Sequence, residues 1–389
     1  MVRDEVELDK CGLYLSASRG AGDSKPTRRY FNYLWLRDNC PTSWSPQTRD
    51  RVFDIASQPL DLRPAGARID GNFLRVEWAF DGHVSNYDID WLSGWSSNPA
   101  ISDPAAVSQT LWYSDHVRSL QRFGFSELVS GRDVRERYLH TLLQQGIALV
   151  DGLPDTDTAI TELAEISGSV RASFSGTYFN VKAEPHPKGV AYTANALEPH
   201  TDSPCEEFPP GVQYLHCRVN TSNGGATTFV VGASVAKALR EAHPPDFELL
   251  ASTSVPFGFA HEGIDMRARQ RVIERDPAGV VTGVNFSQHM AGIFDLDQKF
   301  LDAYYPAFCR FATLLRDPRF VVAHLLQGGE CMVFDNHRIV HGRQAYDRTS
   351  GRRVLRGCYT DRGEMRSRYR VLAKGKAPGA SAVVSGSAT

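Results

Sequence analysis

The sequence lacks a long apolar run, an excess of charge of one sign and a dense set of cysteines. No stretch of about 18 apolar residues occurs, so we expect no membrane-spanning helix. The first residues, MVRDEVELDKCG, lack the apolar segment of a signal peptide. A formal net charge of −2 over 389 residues gives no electrostatic basis for binding nucleic acid or an anionic membrane. Seven scattered cysteines favour reduced thiols, and we therefore expect a cytoplasmic protein.

The length suggests roughly two or three domains. Residues 1–97 are predicted to form a small β-rich domain, with a hairpin over 73–92 around Asp81-Gly82 and another strand over 29–40. Turn-forming residues with few large apolar ones follow, and we place a linker at 98–118. The main domain is then expected over 119–374, followed by a disordered tail over 375–389, which is rich in small residues.

Strands dominate the main domain, with helices before and between them. Helical patterns cover 132–145, 157–168 and 298–317, and the aromatic stripe of the last helix is expected to pack in the core. Residues 211–231 predict a hairpin that turns at NTSNGG, and 329–335, 338–342 and 352–361 predict further strands. The fold class is therefore α+β and mainly β, with an antiparallel or jelly-roll architecture.

A pair of possible metal ligands stands in EPHTDSPCEEFPPG, residues 198–211. Side chains two apart on a strand point to the same face, so His200 and Asp202 can bind one ion. Two histidines and one carboxylate form the non-haem iron(II) triad, which leaves positions open for a cosubstrate and oxygen. The pair alone is a weak motif, and the rest of the segment, including Glu206 and Glu207, is expected to be a solvated loop.

The third ligand is expected to be His341, in FDNHRIVHGR, where Gly342 lets the backbone turn close to the site. His337 and His341 are four residues apart, as in helical zinc proteases. That interpretation fails because Arg338 stands where the general-base glutamate is needed and the flanking segments predict strands. His337 is therefore expected to be structural.

An iron that activates oxygen needs a bidentate cosubstrate. If this is 2-oxoglutarate, its far carboxylate needs a guanidinium, ideally in bidentate contact. Arg348, Arg352, Arg353 and Arg356 follow His341 closely. Arg352 and Arg353 face opposite sides of a predicted strand, so only one of them can point inward. The ordered set of ligands and arginine favours the iron and 2-oxoglutarate chemistry.

These residues resemble the γ-butyrobetaine and trimethyllysine hydroxylase family of the taurine dioxygenase-like oxygenases. The resemblance covers nearly all of residues 28–372, and the matching motifs occur in order: WLRDNCP (35–41), DGHVSNYDIDWL (81–92), HTDSP and PPGVQYLHC (within 200–217), GGATTFVVG (224–232), FDNHRIVHGR (334–343) and LRGCY (355–359). It implies a small β-rich domain before a double-stranded β-helix, a homodimer, a small-molecule substrate, and Fe(II), 2-oxoglutarate and O2, with ascorbate as a supporting reductant.

The resemblance also assigns roles to individual residues. His200, Asp202 and His341 match the catalytic iron ligands. Arg353 matches the 2-oxoglutarate arginine, and Thr227 stands where a hydroxyl helps to bind that cosubstrate. Phe179, Tyr192 and Tyr359 match the aromatic cage that holds quaternary ammonium substrates by cation–π attraction, although each alone would more often be a core residue.

Departures from the family pattern concern the substrate. Ser175 and Ser203 stand where γ-butyrobetaine hydroxylases have tyrosines, and Gly189 and Ser287 stand where they have asparagines that hold the substrate carboxylate. Candidates for a rebuilt anion end are Asn180, Asn195, Ser287 and Gln288. We expect a substrate other than γ-butyrobetaine: a trimethylammonium compound with another acid, such as a phosphonate, or a less methylated amino acid.

The first domain departs as well. Relatives bind structural zinc there through three cysteines and a histidine, but here Thr42 and Ser45 replace two of the thiols and only Cys40 and His83 remain. Two ligands do not close a tetrahedral site, so no structural zinc is expected. Packing of four aromatic residues is expected to hold the domain instead: Trp35, Trp44, Phe53 and Trp78.

Other functions remain as alternatives. The enzyme could be a γ-butyrobetaine hydroxylase proper, or a hydroxylase or desaturase of a free amino acid. A catalytically silent relative that binds a small ligand is a further class, but such a protein has no need of an intact triad and arginine. A hydrolase on the same metal face is weaker, because nothing there requires Arg353.

Overall fold

The computed structural model describes residues 5–17, 27–95, 103–184, 186, 189–261 and 263–373. The chain divides into two compact units, whose described parts lie within Met1–Asp103 and Pro104–Lys374. Within the described ranges, no helix is both long and apolar enough to cross a membrane. The predicted tail and the start of the predicted linker lie outside the described residues.

The first unit contains two antiparallel three-stranded sheets, β1-β2-β3 and β4-β5-β6. Its elements are β1 (Glu5–Leu8), β2 (Gly12–Ala17), β3 (Thr27–Asn32), α1 (Tyr33–Asp38), β4 (Pro64–Asp70), β5 (Phe73–Trp78), β6 (Val84–Asp88) and α2 (Ile89–Ser93). The predicted hairpin over 73–92 is confirmed up to Asp88, because β5 pairs with β6, but the residues from Ile89 onward form α2 instead of strand. The strand predicted over 29–40 is wrong beyond Asn32, whose side chain accepts a hydrogen bond from Trp35 N (3.0 Å) and starts a helix.

Aromatic packing in this unit is less even than expected. Trp78 is fully buried and donates its indole N–H to Ser85 Oγ (2.8 Å), but Trp44 is 40% exposed and stacks on Arg51. The packing prediction is therefore wrong for Trp44. In the region of the missing thiols, the polar atoms of three side chains lie 3.1 to 3.4 Å apart and hydrogen-bond one another: Cys40, Thr42 and His83.

The second unit carries the remaining elements. Its strands are β7 (Arg122–Gly124), β8 (Ile147–Asp151), β9 (Phe179–Val181), β10 (Leu197–His200), β11 (Val212–Asn220), β12 (Thr227–Val231), β13 (Ser254–His261), β14 (Ile264–Arg271), β15 (Ile273–Arg275), β16 (Val281–Val284), β17 (Val322–His324), β18 (Cys331–Asp335), β19 (Ile339–Arg343) and β20 (Arg353–Thr360). Its helices are α3 (Phe125–Ser130), α4 (Arg132–Gln145), α5 (Ala159–Ser167), α6 (Gly232–Ala242), α7 (Pro244–Ser252), α8 (Gln298–Leu314) and α9 (Arg362–Ala373).

Two sheets dominate the second unit, with strand orders β10-β19-β12-β17 and β7-β8-β18-β11-β20-β9. Apart from the parallel pair β7–β8, their strands pair antiparallel, as a mainly β fold of the α+β class requires. The apolar sides of the two sheets share one core cluster, in which Phe229 of β12 lies 5.4 Å from Phe334 of β18 between ring centroids.

The hairpin predicted over 211–231 is wrong. β11 pairs with β18 and β20, whereas β12 pairs with β17 and β19 in the other sheet. The turn residues between them therefore carry the chain from one sheet to the other. Gly224 and Gly225 have φ of +84° and +78°, a conformation that glycine adopts without steric cost. Local alternation predicted both strands but could not identify their partners.

The remaining helices and the linker region frame the sheets. Arg338 is buried and donates to the carbonyls of Leu143 (2.6 Å) and Gln144 (2.9 Å), so it caps the end of α4 instead of entering the site. Tyr304, Phe308 and Phe311 of the aromatic stripe of α8 pack in the core, as predicted, but Phe300 and Tyr305 of the same stripe are exposed. In the described part of the predicted linker, Ala105 and Trp112 are buried in clusters of the second unit.

One histidine on β11 makes the stability depend on pH. His216 is fully buried, and neither ring nitrogen has a hydrogen-bond partner among the described residues. Burial, with the nearby charge of Arg218, lowers the pKa of His216 to about 4. The unfolded chain binds this proton below its ordinary pKa near 6.5, whereas the folded chain does not. This contribution to stability is therefore complete above that pKa and is lost as the pH falls toward 4.

We expect the wild-type chain to lose about 1 kcal/mol of unfolding free energy from this group between pH 7.5 and 5.5. His216→Leu should remove that part of the pH dependence because leucine does not titrate. Urea unfolding of both chains at the two pH values measures the difference. An identical pH dependence in the two chains would show that His216 is not the responsible group.

Candidate active site

Three predicted ligands converge where β10 meets β19. His200 ends β10 and pairs directly with His341 of β19. Asp202 follows two residues later, and its Oδ1 lies 3.2 Å from His200 Nε2 and 3.7 Å from His341 Nε2. One potential ligand atom from each residue lies within 4.8 Å of the others, and the two histidines are buried. The sheet register therefore assembles the triad from positions far apart in sequence.

Hydrogen bonds orient the ligands. His200 Nδ1 lies 2.9 Å from the carbonyl of Glu198, to which it can donate, leaving the Nε2 lone pair free for a metal. The backbone N–H of Asp202 donates to Asn336 Oδ1 (2.7 Å), and Asn336 Nδ2 donates back to the Asp202 carbonyl (3.0 Å). The hydroxyl of Tyr359 donates to Asp202 Oδ2 (2.7 Å). The contacts of Glu198 and Tyr359 orient the side chains of His200 and Asp202, and those of Asn336 fix the backbone of Asp202.

The electrostatics keep Asp202 and His341 in their metal-binding forms. Burial alone would raise the pKa of Asp202, but His341, His200 and the Tyr359 hydrogen bond outweigh it and hold that pKa below its ordinary value. Burial and the neighbouring His200 lower the pKa of His341 to about 3. An ionised carboxylate and a neutral imidazole are the forms that bind a divalent ion. A buried His–Asp–His set with open space beside it fits Fe(II).

The triad opens into a cavity of about 620 Å³. Most of the residues assigned by resemblance line it: His200, Asp202, His341, Arg353, Thr227, Phe179, Tyr192, Tyr359 and Ser203. The rings of Phe179 and Tyr359 are 5.1 Å apart between centroids. The cavity therefore places an aromatic wall beside the metal ligands.

The candidates for a rebuilt anion end do not line the cavity. Asn180 is exposed because it alternates along β9 with Phe179 and Val181, whose side chains do line it. Asn195 is exposed, and its backbone carbonyl accepts a hydrogen bond from Arg343. Ser287 is fully buried away from the lining, and Gln288 is exposed and accepts a hydrogen bond from Arg316 (3.3 Å). The structure therefore does not bring these four residues into the cavity wall, and their roles at the anion end stay predictions.

The loop after the ligands is predicted to be solvated, but the structure buries part of it. Glu206 is buried and pairs with Arg171 at 2.6 Å, and burial raises the pKa of that carboxyl. Glu207 is exposed, as predicted, and so is the neighbouring Phe208. Ser203 lies within the loop with a φ of +54°, a left-handed conformation that is uncommon outside glycine. The chain therefore turns sharply just after Asp202.

Some lining residues carry no local sequence signal for the site. Phe259, His261 and Ile264 come from the β13–β14 hairpin, and His289 and Met290 come from the turn before α8. His289 is exposed and lies 4.9 Å from His200 between ring centroids. A lone histidine among twelve is not distinguishable by sequence pattern. Only the folding of the hairpin and turn over the ligands identifies these positions.

Two buried arginines reach the cavity, and their hydrogen bonds separate their roles. The Nη atoms of Arg343 donate to three carbonyls of the loop 191–195, at 3.2, 2.7 and 2.7 Å. The guanidinium of Arg353 has one long hydrogen bond among the described residues, at 3.4 Å to Thr227 Oγ1, and the Nε atoms of both arginines have no partner there. Burial lowers the pKa of Arg353 to about 10, so the group remains a cation at neutral pH. Arg343 therefore holds the loop that carries Tyr192, and Arg353 is available for an anion.

His337 lies outside this cavity. Its Nε2 is 3.2 Å from the carbonyl of Pro209 and its side chain is half-buried, as expected of a structural histidine.

Comparisons with known proteins agree with this geometry. The sequence profile described as "Taurine catabolism dioxygenase TauD, TfdA family" matches residues 116–359. A γ-butyrobetaine dioxygenase from Pseudomonas sp. (strain AK-1) is 35% identical over 348 residues, which cover 88% of this chain and 90% of the relative. Dioxygenase str8 from Strobilurus tenacellus is 27% identical, covering 89% and 86% of the two chains. The mitochondrial trimethyllysine dioxygenase of Rattus norvegicus is 28% identical, covering 88% and 82%.

The family match and the His–Asp–His cluster together define the class of chemistry. The chain therefore belongs to the TauD/TfdA dioxygenase family, beside the γ-butyrobetaine and trimethyllysine dioxygenases, and is a dioxygenase that depends on Fe(II), 2-oxoglutarate and O2.

Proposed function

We propose that this enzyme hydroxylates an unactivated carbon of a small zwitterion whose cationic end is a trimethylammonium group. The reaction consumes 2-oxoglutarate and O2 and yields succinate, CO2 and the hydroxylated substrate, with one oxygen atom entering each organic product. The relatives named for γ-butyrobetaine and trimethyllysine support this substrate class. The observation that carries the proposal is one cavity in which the His–Asp–His triad lies beside an aromatic wall and beside the Arg353 guanidinium, which has no ion pair among the described residues.

His200, Asp202 and His341 are the residues proposed to hold Fe(II). When bound there, Fe(II) supplies the activation of O2 that accompanies decarboxylation of 2-oxoglutarate. Arg353 holds the far carboxylate of 2-oxoglutarate through charge-assisted hydrogen bonds, and the Thr227 hydroxyl contributes beside it. The chain's own task is to orient these groups and to exclude water from them.

Phe179, Tyr192 and Tyr359 are proposed to receive the trimethylammonium group. A quaternary ammonium ion has no hydrogen to donate, so aromatic faces are its natural partners. Burial raises the pKa of Tyr192, which keeps its ring neutral. The positions of the rings in the cavity wall support this assignment.

The acid end of the substrate is proposed to differ from that of γ-butyrobetaine. Ser175, Gly189 and Ser203 line the cavity, and no asparagine is among its described lining residues. Small side chains leave room for a bulkier acid, such as the phosphonate of a trimethylammonio-phosphonate. γ-Butyrobetaine itself and a free amino acid remain the competing candidates.

A succinate-release screen tests the substrate proposal. We expect trimethylammonium compounds to stimulate succinate formation, with a trimethylammonio-phosphonate above γ-butyrobetaine, and the dimethylamino analogue of the best substrate to be a poorer one. Free amino acids and methylated lysines belong in the same screen. Stimulation by free amino acids alone would rule out the aromatic cage. An absence of iron-dependent 2-oxoglutarate turnover with every compound would favour the silent ligand-binding alternative.

The two facing sheets are proposed to form the double-stranded β-helix of the family. The family resemblance supports a homodimer. The free state of all seven cysteines supports a location in the cytoplasm. Light scattering of the purified chain tests the assembly, since a monomeric mass at micromolar concentration would contradict it.

A further inference from the structure

Tyr359 contacts both the aromatic wall and a metal ligand. Its ring faces Phe179, with 5.1 Å between centroids, and its hydroxyl donates to Asp202 Oδ2 at 2.7 Å. Only 5% of Tyr359 is exposed. It lies on β20, where its backbone pairs with Gln213 of β11 on one side and forms an isolated bridge with Arg171 on the other, so both sides fix its position. A cage residue needs only its ring, and the hydroxyl contact is therefore an additional feature.

Asp202 is the ligand that most needs such a contact. His200 and His341 are held by the pairing of β10 with β19, but Asp202 lies beyond the end of β10 and just before the left-handed Ser203. Asn336 binds the backbone of Asp202 on both sides, which fixes the main chain but not the side chain. The terminal torsion of an aspartate is broad and is not set by rotamer preference alone.

The two carboxylate oxygens of Asp202 have different surroundings. Oδ1 faces the imidazole Nε2 atoms of His200 and His341, at 3.2 and 3.7 Å. Oδ2 accepts the Tyr359 hydrogen bond. This bond selects the rotation of the carboxylate that presents Oδ1 to the position between the two imidazoles.

We propose that Tyr359 is a positioning residue for the metal site, whose hydroxyl holds the Asp202 carboxylate in the orientation that binds iron. This inference rests on the proposed assignment of the triad as the iron ligands. It gives one side chain two functions, because the ring belongs to the cation-binding wall while the hydroxyl supports the metal. A tyrosine is therefore required where phenylalanine would satisfy the cage alone.

The test is iron affinity, measured anaerobically by competition with a chelator in the absence of substrate and 2-oxoglutarate. Tyr359→Phe keeps the ring and removes only the hydroxyl. Loss of an outer-shell partner of a metal ligand lowers metal affinity by about 10- to 100-fold, and we expect the Fe(II) dissociation constant to rise by that factor.

Tyr214→Phe is the matched control. Tyr214 is fully buried on the adjacent strand β11, and its hydroxyl contacts Thr360 Oγ1 (3.4 Å) away from the cavity. The substitution removes only that hydroxyl. Its iron affinity should equal that of the wild type. A similar loss in both variants would show a general effect on the sheet and would overturn the inference.

The outcomes separate this inference from the proposed function. Unchanged iron affinity in Tyr359→Phe, with tight binding by the wild type, would overturn the role of the hydroxyl and leave the triad assignment intact. A wild-type chain whose iron affinity did not exceed that of Asp202→Ala would refute the triad itself.

Discussion

Replacing His200 with alanine is expected to abolish succinate formation. The side chain supplies one of three ligands, and its register partner His341 cannot compensate because each histidine offers one nitrogen to the site. The loss should exceed the about 10- to 100-fold effects that follow removal of an outer-shell partner. The measurement is succinate formed from 2-oxoglutarate with saturating Fe(II), with and without a trimethylammonium substrate.

His337→Gln serves as the control for this experiment. His337 lies four residues before His341 on the same segment but contacts the carbonyl of Pro209 outside the cavity. Glutamine keeps a donor at that position, so its activity should stay within about threefold of the wild type, the effect expected of a loss below about 1 kcal/mol. Normal turnover by His200→Ala would make the triad assignment wrong.

Replacing Arg353 with methionine is expected to raise the KM for 2-oxoglutarate by about 30-fold or more, because removing one partner of a buried, hydrogen-bonded charge pair costs about 2–5 kcal/mol. Methionine keeps much of the aliphatic volume of Arg353 and removes its charge. Arg353→Lys should show a smaller effect, since a lysine supplies the charge but not the planar fork of donors. Initial rates at varied 2-oxoglutarate concentration measure both.

Arg352→Met is the matched control for Arg353. It is the neighbouring arginine on the chain, but it is exposed, whereas Arg353 is buried. We expect its KM for 2-oxoglutarate to be unchanged. Equal increases in the two variants would contradict the assignment of Arg353 as the cosubstrate arginine.

The sequence was most informative where a local periodicity determines geometry. Two-residue alternation predicts that only one of Arg352 and Arg353 faces inward, and Arg353 is buried whereas Arg352 is exposed, but the choice between them comes from the family resemblance. His200 and Asp202 do lie together as predicted, although Asp202 follows the end of β10. His341 is predicted from its own segment and from the adjacent Gly342, and the motif resemblance then supports that choice. The direct pairing of β10 with β19 is a long-range contact that no local pattern specifies. The ligand set could therefore be predicted without knowledge of the sheet order.

The failures have the same physical origin. The segment 211–231 contains two strands and a turn, as in a hairpin, but the partners of each strand lie in different sheets. Glu206 is buried instead of solvated because it pairs with Arg171, and no local sequence pattern indicates a partner so distant along the chain. His289 and the β13–β14 hairpin enter the cavity wall through tertiary packing alone.

A crystal structure of the wild-type chain grown anaerobically with Mn(II) and 2-oxoglutarate would test the central claim most directly. Mn(II) takes the place of Fe(II) without activating O2. The account predicts the metal bonded to His200, Asp202 and His341, with the far carboxylate of 2-oxoglutarate on Arg353 and Arg343 still bound to the loop 191–195. A metal held by other residues, or a far carboxylate bound by Arg343, would contradict it.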